Sequence, residues 1–254
     1  MQLAFGAGAL WGTRTDVAGS GIGPDQFGIL QDVQIDWDWT TKELWGQYQF
    51  PVDIARGQGK VTGKAKFARI FGAIFGDLFF GQTPATGQLT VSENEAATVP
   101  ATTPYTVTVA NAATYVDDLG VFYAAGANAG NRFTRVTTPA AAGQYSVNPA
   151  TGIYTCSAAD ASAPLLVSYA YNLSTGKKLV VTNQLMGSTP VFKATFYTTK
   201  TTGGVPGALS LVLNACTATK LSLPTRIDDY EIQEFDFSAF ADASGTIGTL
   251  STVE

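Results

Sequence analysis

The stretch from Phe27 to Gly81 constrains the fold more than any other part of the chain. Val33, Ile35, Trp37 and Trp39 occupy alternate positions, with Gln34, Asp36 and Asp38 between them. Strand side chains alternate faces, so this spacing predicts a half-buried strand with one apolar and one polar side. The run Lys42-Glu43-Leu44-Trp45-Gly46 then leads to Phe50-Pro51-Val52 and predicts a second strand after a hairpin around Thr40–Tyr48. A third strand follows, with Val61, Ala65 and Phe67 facing one way and Lys60, Thr62, Lys64 and Lys66 the other. Ile70, Phe71, Ile74, Phe75, Leu78 and Phe79 recur at helical spacing, predicting one α-helix from about Ala68 to Phe80 that stops at Gly81. Gly72 and Gly76 each cost this helix about 1 kcal/mol relative to Ala. Burial of the six large side chains returns on the order of 10 kcal/mol gross. The helix is therefore expected to lie across a sheet, with its glycines permitting close approach. Trp37 and Trp39 are expected in the core, and Trp11 and Trp45 are the better candidates for exposure.

The remaining chain reads as mainly β. Residues 1–26 are Gly-rich and suggest an extended arm, and residues 242–254 a second one. Residues 82–103 shift to Thr, Ala, Pro and Gly, as in a linker. Seven short strands are then predicted between Tyr105 and Thr182: 105–109, 120–123, 132–137, 144–147, 152–156, 165–171 and 178–182. They suggest a small β-sandwich, residues 85–187, inserted into a core domain formed by 1–84 and 188–254. Strong strands resume at Val191–Lys200, Ala208–Thr219 and Tyr230–Phe240. In the last of these, Tyr230 and Ile232 fall on opposite parity to Phe235 and Phe237, which predicts a bulge near Gln233. Glu234 and Asp236 then take the solvated face.

Several chemistries lack their residues. There is no histidine among 254 residues, which removes Ser-His-Asp, Cys-His and imidazole-metal machinery. Gly57-Gln-Gly59-Lys60-Val61 fails as a phosphate loop, since Ile54 stands where Gly is needed and Val61 where Ser or Thr is needed. Asp228, Asp229, Glu231, Glu234 and Asp236 could in principle supply a carboxylate pair or a calcium site, but read better as a solvated acidic face. Cys156 and Cys216 fit no zinc or redox spacing and read as buried free thiols. A net charge of −5 opposes tight phosphate binding. The first residues lack a basic leader, and no apolar run is long enough to span a bilayer, so no membrane anchor is expected. No cofactor or metal is expected, and the chain does not read as an enzyme.

The blocks Phe27-Gly-Ile-Leu-Gln-Asp-Val33, Lys42-Glu-Leu-Trp-Gly46, Phe50-Pro51-Val52, Lys60-Val-Thr-Gly-Lys-Ala-Lys-Phe67 and Leu78-Phe-Phe-Gly81 resemble tailed-bacteriophage tail tube (major tail) proteins. So do Asp118-Leu-Gly-Val121, Gly143-Gln-Tyr-Ser146, Gly152-Ile-Tyr-Thr155, Asn183-Gln-Leu-Met-Gly187, and the ending Phe235-Asp-Phe-Ser-Ala-Phe-Ala-Asp242 with Gly245. The resemblance implies a tail-tube-type β-sandwich/barrel core with one flanking α-helix. It also implies a homohexameric ring, helical stacking of rings into a hollow virion tail tube, and passage of DNA through it during ejection. Implied partners are further copies of the chain and other tail proteins: the tape measure, the tail tip or baseplate, and the terminator. DNA would cross the lumen without specific binding. Such a protein is made in the host bacterial cytoplasm and ends in the virion tail. A channel that repels phosphate lets a polyanion slide, so Gln34, Asp36, Asp38, Glu234 and Asp236 are candidates to line the lumen. Against this, the lysine face of Lys60, Lys64 and Lys66 is placed to pair with these acids across strands. Phe5, Leu10, Trp11, Lys42, Glu43, Leu44 and Trp45 are candidates for inter-subunit contacts, and the inserted domain is expected on the tube exterior. The alternative is a surface adhesin or carbohydrate-binding β-sandwich module, served by exposed tryptophans.

Overall fold

The computed structural model describes residues 6–17, 23–69, 72–202, 205–225 and 227–252. The protein is mainly β, with antiparallel sheets apart from one short parallel pair, and it divides into two units: 1–84 with 179–254, and 85–178.

In chain order, the first unit supplies strands β1 (Ala9–Arg14), β2 (Asp25–Gln26), β3 (Leu30–Trp45) and β4 (Pro51–Phe67). The second unit supplies β5 (Ala85–Thr98), β6 (Thr106–Thr108), β7 (Tyr115–Tyr123), β8 (Thr134–Arg135), β9 (Gln144–Asn148), β10 (Ile153–Cys156) and β11 (Pro164–Lys178). The first unit then resumes with β12 (Phe192–Thr202), β13 (Val205–Ser222), β14 (Gln233–Phe240) and β15 (Gly248–Thr252).

The sheet of the first unit runs β2-β1-β12-β13-β14-β4-β3, and β15 pairs with β13. It is open rather than a closed barrel, with β2 and β3 at its two ends. The expected alternation supplies its core. Val61, Ala65 and Phe67 of β4 point inward beside Phe235 and Phe237 of β14, and meet Phe27, Phe192 and Leu213. The Phe237 ring lies directly over Gly63, its cross-strand partner, in space a side chain would otherwise fill.

The helix differs from the expected α-helix. Ile74–Phe80 is a seven-residue π-helix; Ile70 and Phe71 lie outside the described residues. Gly81 ends it in the left-handed conformation (φ 66°), its N–H donating to the Gly76 carbonyl, which also accepts from Gln82 N–H at 2.7 Å. The expected role of the helix glycines changes too. What crowds Gly76 is the chain's own Gln82–Pro84, whereas close approach to the sheet occurs at Gly12 of β1, against which the Leu78 side chain sits. Ile74 and Leu78 are fully buried as expected.

Several segments expected to be irregular are strands. Residues 9–14 pair along β12 instead of forming an arm, and 248–252 pair with β13. Pairing occurs because β12 and β13 are long enough to offer free backbone groups at both places. The region expected as three strands is one hairpin of two long strands, β3 and β4, joined by residues 46–50. The last long strand begins at Gln233, not Tyr230, so it needs no bulge: Gln233, Phe235 and Phe237 share the buried face. The irregularity falls on the neighbouring β13, between Ala218 and Lys220.

The second unit contains two sheets, β6-β10-β9-β8 and β5-β11-β7, with a core of its own that includes Val121, Phe133, Tyr145, Tyr154, Leu165 and Tyr169. Residues 85–98, expected as linker, form β5 and pair along β11, which runs unbroken to Lys178 where two strands were expected. The return to the first unit therefore comes at Leu179 and not at 188. Buried carboxylates organise this core. Asp118 accepts from the Tyr145 hydroxyl at 2.6 Å and the Tyr154 hydroxyl at 3.1 Å. Asp160 accepts from Tyr123 at 2.5 Å and from the Gly143 N–H.

Candidate functional site

The β3–β4 hairpin carries most of the residues singled out in the sequence, and its two halves differ. In the inner half, β14 pairs with β4 from Val61 to Phe67 and β3 closes the other side. Cross-strand partners share a face, so register assembles polar rungs. Asp32, Lys66, Glu234 and Ser222 form one rung, and Gln34, Lys64, Asp236 and Lys220 the next. Asp36, Thr62, Ser238 and Thr217 follow, and Asp38 stands opposite Lys60. The structure thus brings Gln34, Asp36, Asp38, Glu234 and Asp236 onto one face, interleaved with lysines.

Five acids and four lysines across these rungs leave the face close to neutral. Lys64 Nζ lies 3.1 Å from Glu234 Oε2, Lys220 Nζ lies 3.5 Å from the same oxygen, and Lys66 Nζ lies 3.7 Å from Asp32 Oδ2. The hydrogen bond from Lys64 holds the Glu234 carboxyl below its ordinary range and raises Lys64 in turn. Gln34 Nε2 donates to Asp36 Oδ2 at 2.9 Å. Solvated ion pairs of this kind contribute little to stability. They do determine how much positive charge a passing anion would meet.

The opposite face of β3 departs from expectation. Trp37 and Trp39 are each 41% exposed and stack at 6.4 Å, with the Arg56 guanidinium 4.7 Å from the centre of the Trp39 ring. They are not core residues, because β3 is an end strand and, among the described residues, no further strand or helix packs over that stretch of it. An apolar groove begins beside them, lined by Val33, Ile35, Trp37, Phe196, Leu211 and Leu250.

Beyond Asp38 and Lys60 the hairpin continues as a two-stranded ribbon. Among the described residues no third strand pairs with β4 between Pro51 and Lys60, and both strands of the ribbon are exposed along their length. At about 3.3 Å per residue, Asp38 to Trp45 extends about 25 Å. Leu44, Trp45, Tyr48, Phe50, Val52 and Ile54 are between 57% and 79% exposed. Lys42 and Glu43, two of the expected contact residues, are also exposed there. Tyr48, Phe50, Val52 and Ile54 add to this surface beyond the contact residues expected from sequence. The available signal was that Leu44 and Trp45 are adjacent, so apolar residues fall on both parities and no single face can be the buried one.

The other expected contact residues are placed differently. Leu10 is buried within its own unit, 1% exposed, because β1 is a sheet strand whose inward position it fills. Trp11 is half-buried on the same strand, between β12 and β2, and Phe5 lies outside the described residues. Asp228, Asp229 and Glu231 are exposed and lie before β14, apart from the rungs that hold Glu234 and Asp236. Among the described residues no group of three or more His, Cys, Asp or Glu is placed to hold a metal ion. Cys156 and Cys216 are free and buried, and among the described residues no helix is long and apolar enough to cross a membrane.

No protein-family model matches the chain, and no curated protein sequence matches it.

Proposed function

We propose that this chain is a structural subunit of a tailed-bacteriophage tail tube, assembling with copies of itself into hexameric rings that stack into a hollow conduit for DNA. The observation that carries the reading is the β3–β4 ribbon, about 25 Å of two-stranded sheet with six large apolar side chains in solvent. A lone two-stranded ribbon is marginal in water, unpaired edges invite further strands, and contiguous exposed apolar groups mark contact surfaces. The sheet itself is open at β3. A ribbon projecting from one place and an apolar groove at another make a heterologous contact, the kind that propagates rings and stacks.

The polar face supports the conduit role. Lys64, Lys66 and Lys220 lie beside Glu234 and Asp32, so a phosphate chain meets paired charge and releases few counterions. On this reading Gln34, Asp36, Asp38, Glu234 and Asp236 line the lumen together with those lysines. The tape measure, tip or baseplate and terminator proteins are its remaining partners.

The test is light scattering and negative-stain electron microscopy of the concentrated protein, alone and with a tail-tip extract as initiator. Rings of six or tubes support the proposal; a monomer under every condition refutes it. A carbohydrate-binding or adhesive module is the second reading, favoured by the exposed stacked Trp37–Trp39 pair. Glycan-array binding that is lost in Trp39→Ala would select it.

A further inference from the structure

Two acids, Asp25 and Asp77, lie at one corner of the first unit with no role in the surfaces described above. Asp25 sits in the two-residue strand β2, opposite Gly12 of β1. The Leu78 side chain of the helix packs onto Gly12, which brings the preceding residue, Asp77, to the same corner. Asp77 is 8% exposed, and each carboxylate keeps one buried oxygen (Asp25 Oδ2 and Asp77 Oδ1) without a hydrogen-bond partner. A buried carboxylate oxygen without a partner is costly when charged, and a like charge nearby adds to that cost.

We propose that Asp25 is protonated in the closed state and acts as a pH-gated latch that fastens β2 to β1 and to the helix. Burial raises the Asp77 carboxyl, and the charge of Arg14 on β1 opposes that rise, while two hydrogen bonds of 2.7 and 3.0 Å tie the Arg14 guanidinium to Asp16. Among the described residues Asp25 has no such partner. Burial, and then the Asp77 charge, push its carboxyl up to about 6. The other element packed on the helix, β13, adds the buried Cys216 thiol to this core; burial pushes it up to about 12, so it stays neutral.

When Asp25 loses its proton, the least costly relief is for β2 to leave. Only Trp11↔Gln26 and Gly12↔Asp25 pair it to β1. Opening stops at Phe27, whose N–H donates to the Leu10 carbonyl at 2.9 Å and whose ring is buried. The open state presents the outer edge of β1 as a pairing-competent strand edge. A cation is the wrong occupant: calcium and magnesium require six or more oxygens, and here two carboxylates stand beside a guanidinium. The latch rests on this pair alone and not on the tail-tube reading.

The sign follows from linkage. The closed state binds the proton more tightly than the open one, so raising the pH from the ordinary Asp range to about 6 favours opening, and little changes above that. The test is amide hydrogen exchange of the full chain, read in peptides covering β1 and β2 and corrected for intrinsic exchange. Opening rises about tenfold between pH 5 and pH 7.5, and Asp25→Asn abolishes the rise. A rise that persists in Asp25→Asn overturns the latch. So does restoration of protection at pH 7.5 by millimolar calcium or magnesium. If Asp25→Asn does not fold, the carbon-13 titration of the wild-type Asp25 carboxyl decides, and a midpoint below pH 5 refutes it.

Discussion

If the β3–β4 ribbon is the surface that joins copies of the chain, polar substitution at its tip should raise the concentration needed for assembly without unfolding the subunit. Phe50 is 79% and Val52 67% exposed in the isolated chain. Full burial of such side chains contributes between about 1.5 and 3 kcal/mol each, so the exposed fractions leave about 2 kcal/mol for Phe50 and about 1 kcal/mol for Val52. The double variant Phe50→Ser, Val52→Ser therefore weakens each ribbon contact by about 3 kcal/mol. At about 1.4 kcal/mol per factor of ten, the threshold for polymer formation rises about 100-fold. Sedimentation of assembled mass against total concentration reads that threshold directly, and electron microscopy confirms what has sedimented. The same variant should keep its unfolding midpoint, since both side chains lie in solvent and replacing exposed side chains changes stability by only about 0.5 kcal/mol. An unchanged threshold in a folded variant refutes the assignment of the ribbon as the assembly surface.

Three further outcomes follow from the packing. Phe235→Ala removes a fully buried ring that meets Phe27 at 5.2 Å and Phe192 at 6.0 Å, and should destabilise the first unit by about 3–5 kcal/mol in urea titrations. The transition of the second unit, which has its own core, should stay in place. Asp118→Ala leaves the Tyr145 and Tyr154 hydroxyls without their acceptor, and should cost the second unit about 2–4 kcal/mol by the same measurement. Burial pushes the Cys156 thiol up to about 11 and Cys216 up to about 12. Neither should react with a thiol reagent at pH 8 until denaturant is added, and both should then react.

What was legible beforehand depended on periodicity. The alternation of Val61, Ala65 and Phe67 against Lys60, Lys64 and Lys66 identified the two faces of β4, because a period of two survives whatever the neighbouring strands are. Ile74 and Leu78 announced their burial in the same way. Strand β5 was missed because its pairing with β11 depends on backbone groups, while its side chains are mostly small and polar. The arms failed for a related reason: whether residues 9–14 and 248–252 pair depends on the free edges offered by β12 and β13, far away along the chain.

The candidate surface shows the same division. Local pattern alone determined that Gln34, Asp36, Asp38, Glu234 and Asp236 lie on polar faces, and it excluded histidine chemistry outright. Only tertiary register decided that these acids share one face with Lys60, Lys64, Lys66 and Lys220, turning an acidic stripe into a nearly neutral one. Likewise, alternation made Trp37 and Trp39 apolar-face residues, but only strand order could leave that face uncovered by placing β3 at the end of the sheet. Side-chain direction is a property of consecutive residues. What covers a side chain depends on strands hundreds of ångströms of contour away, and is settled only when the chain closes on itself.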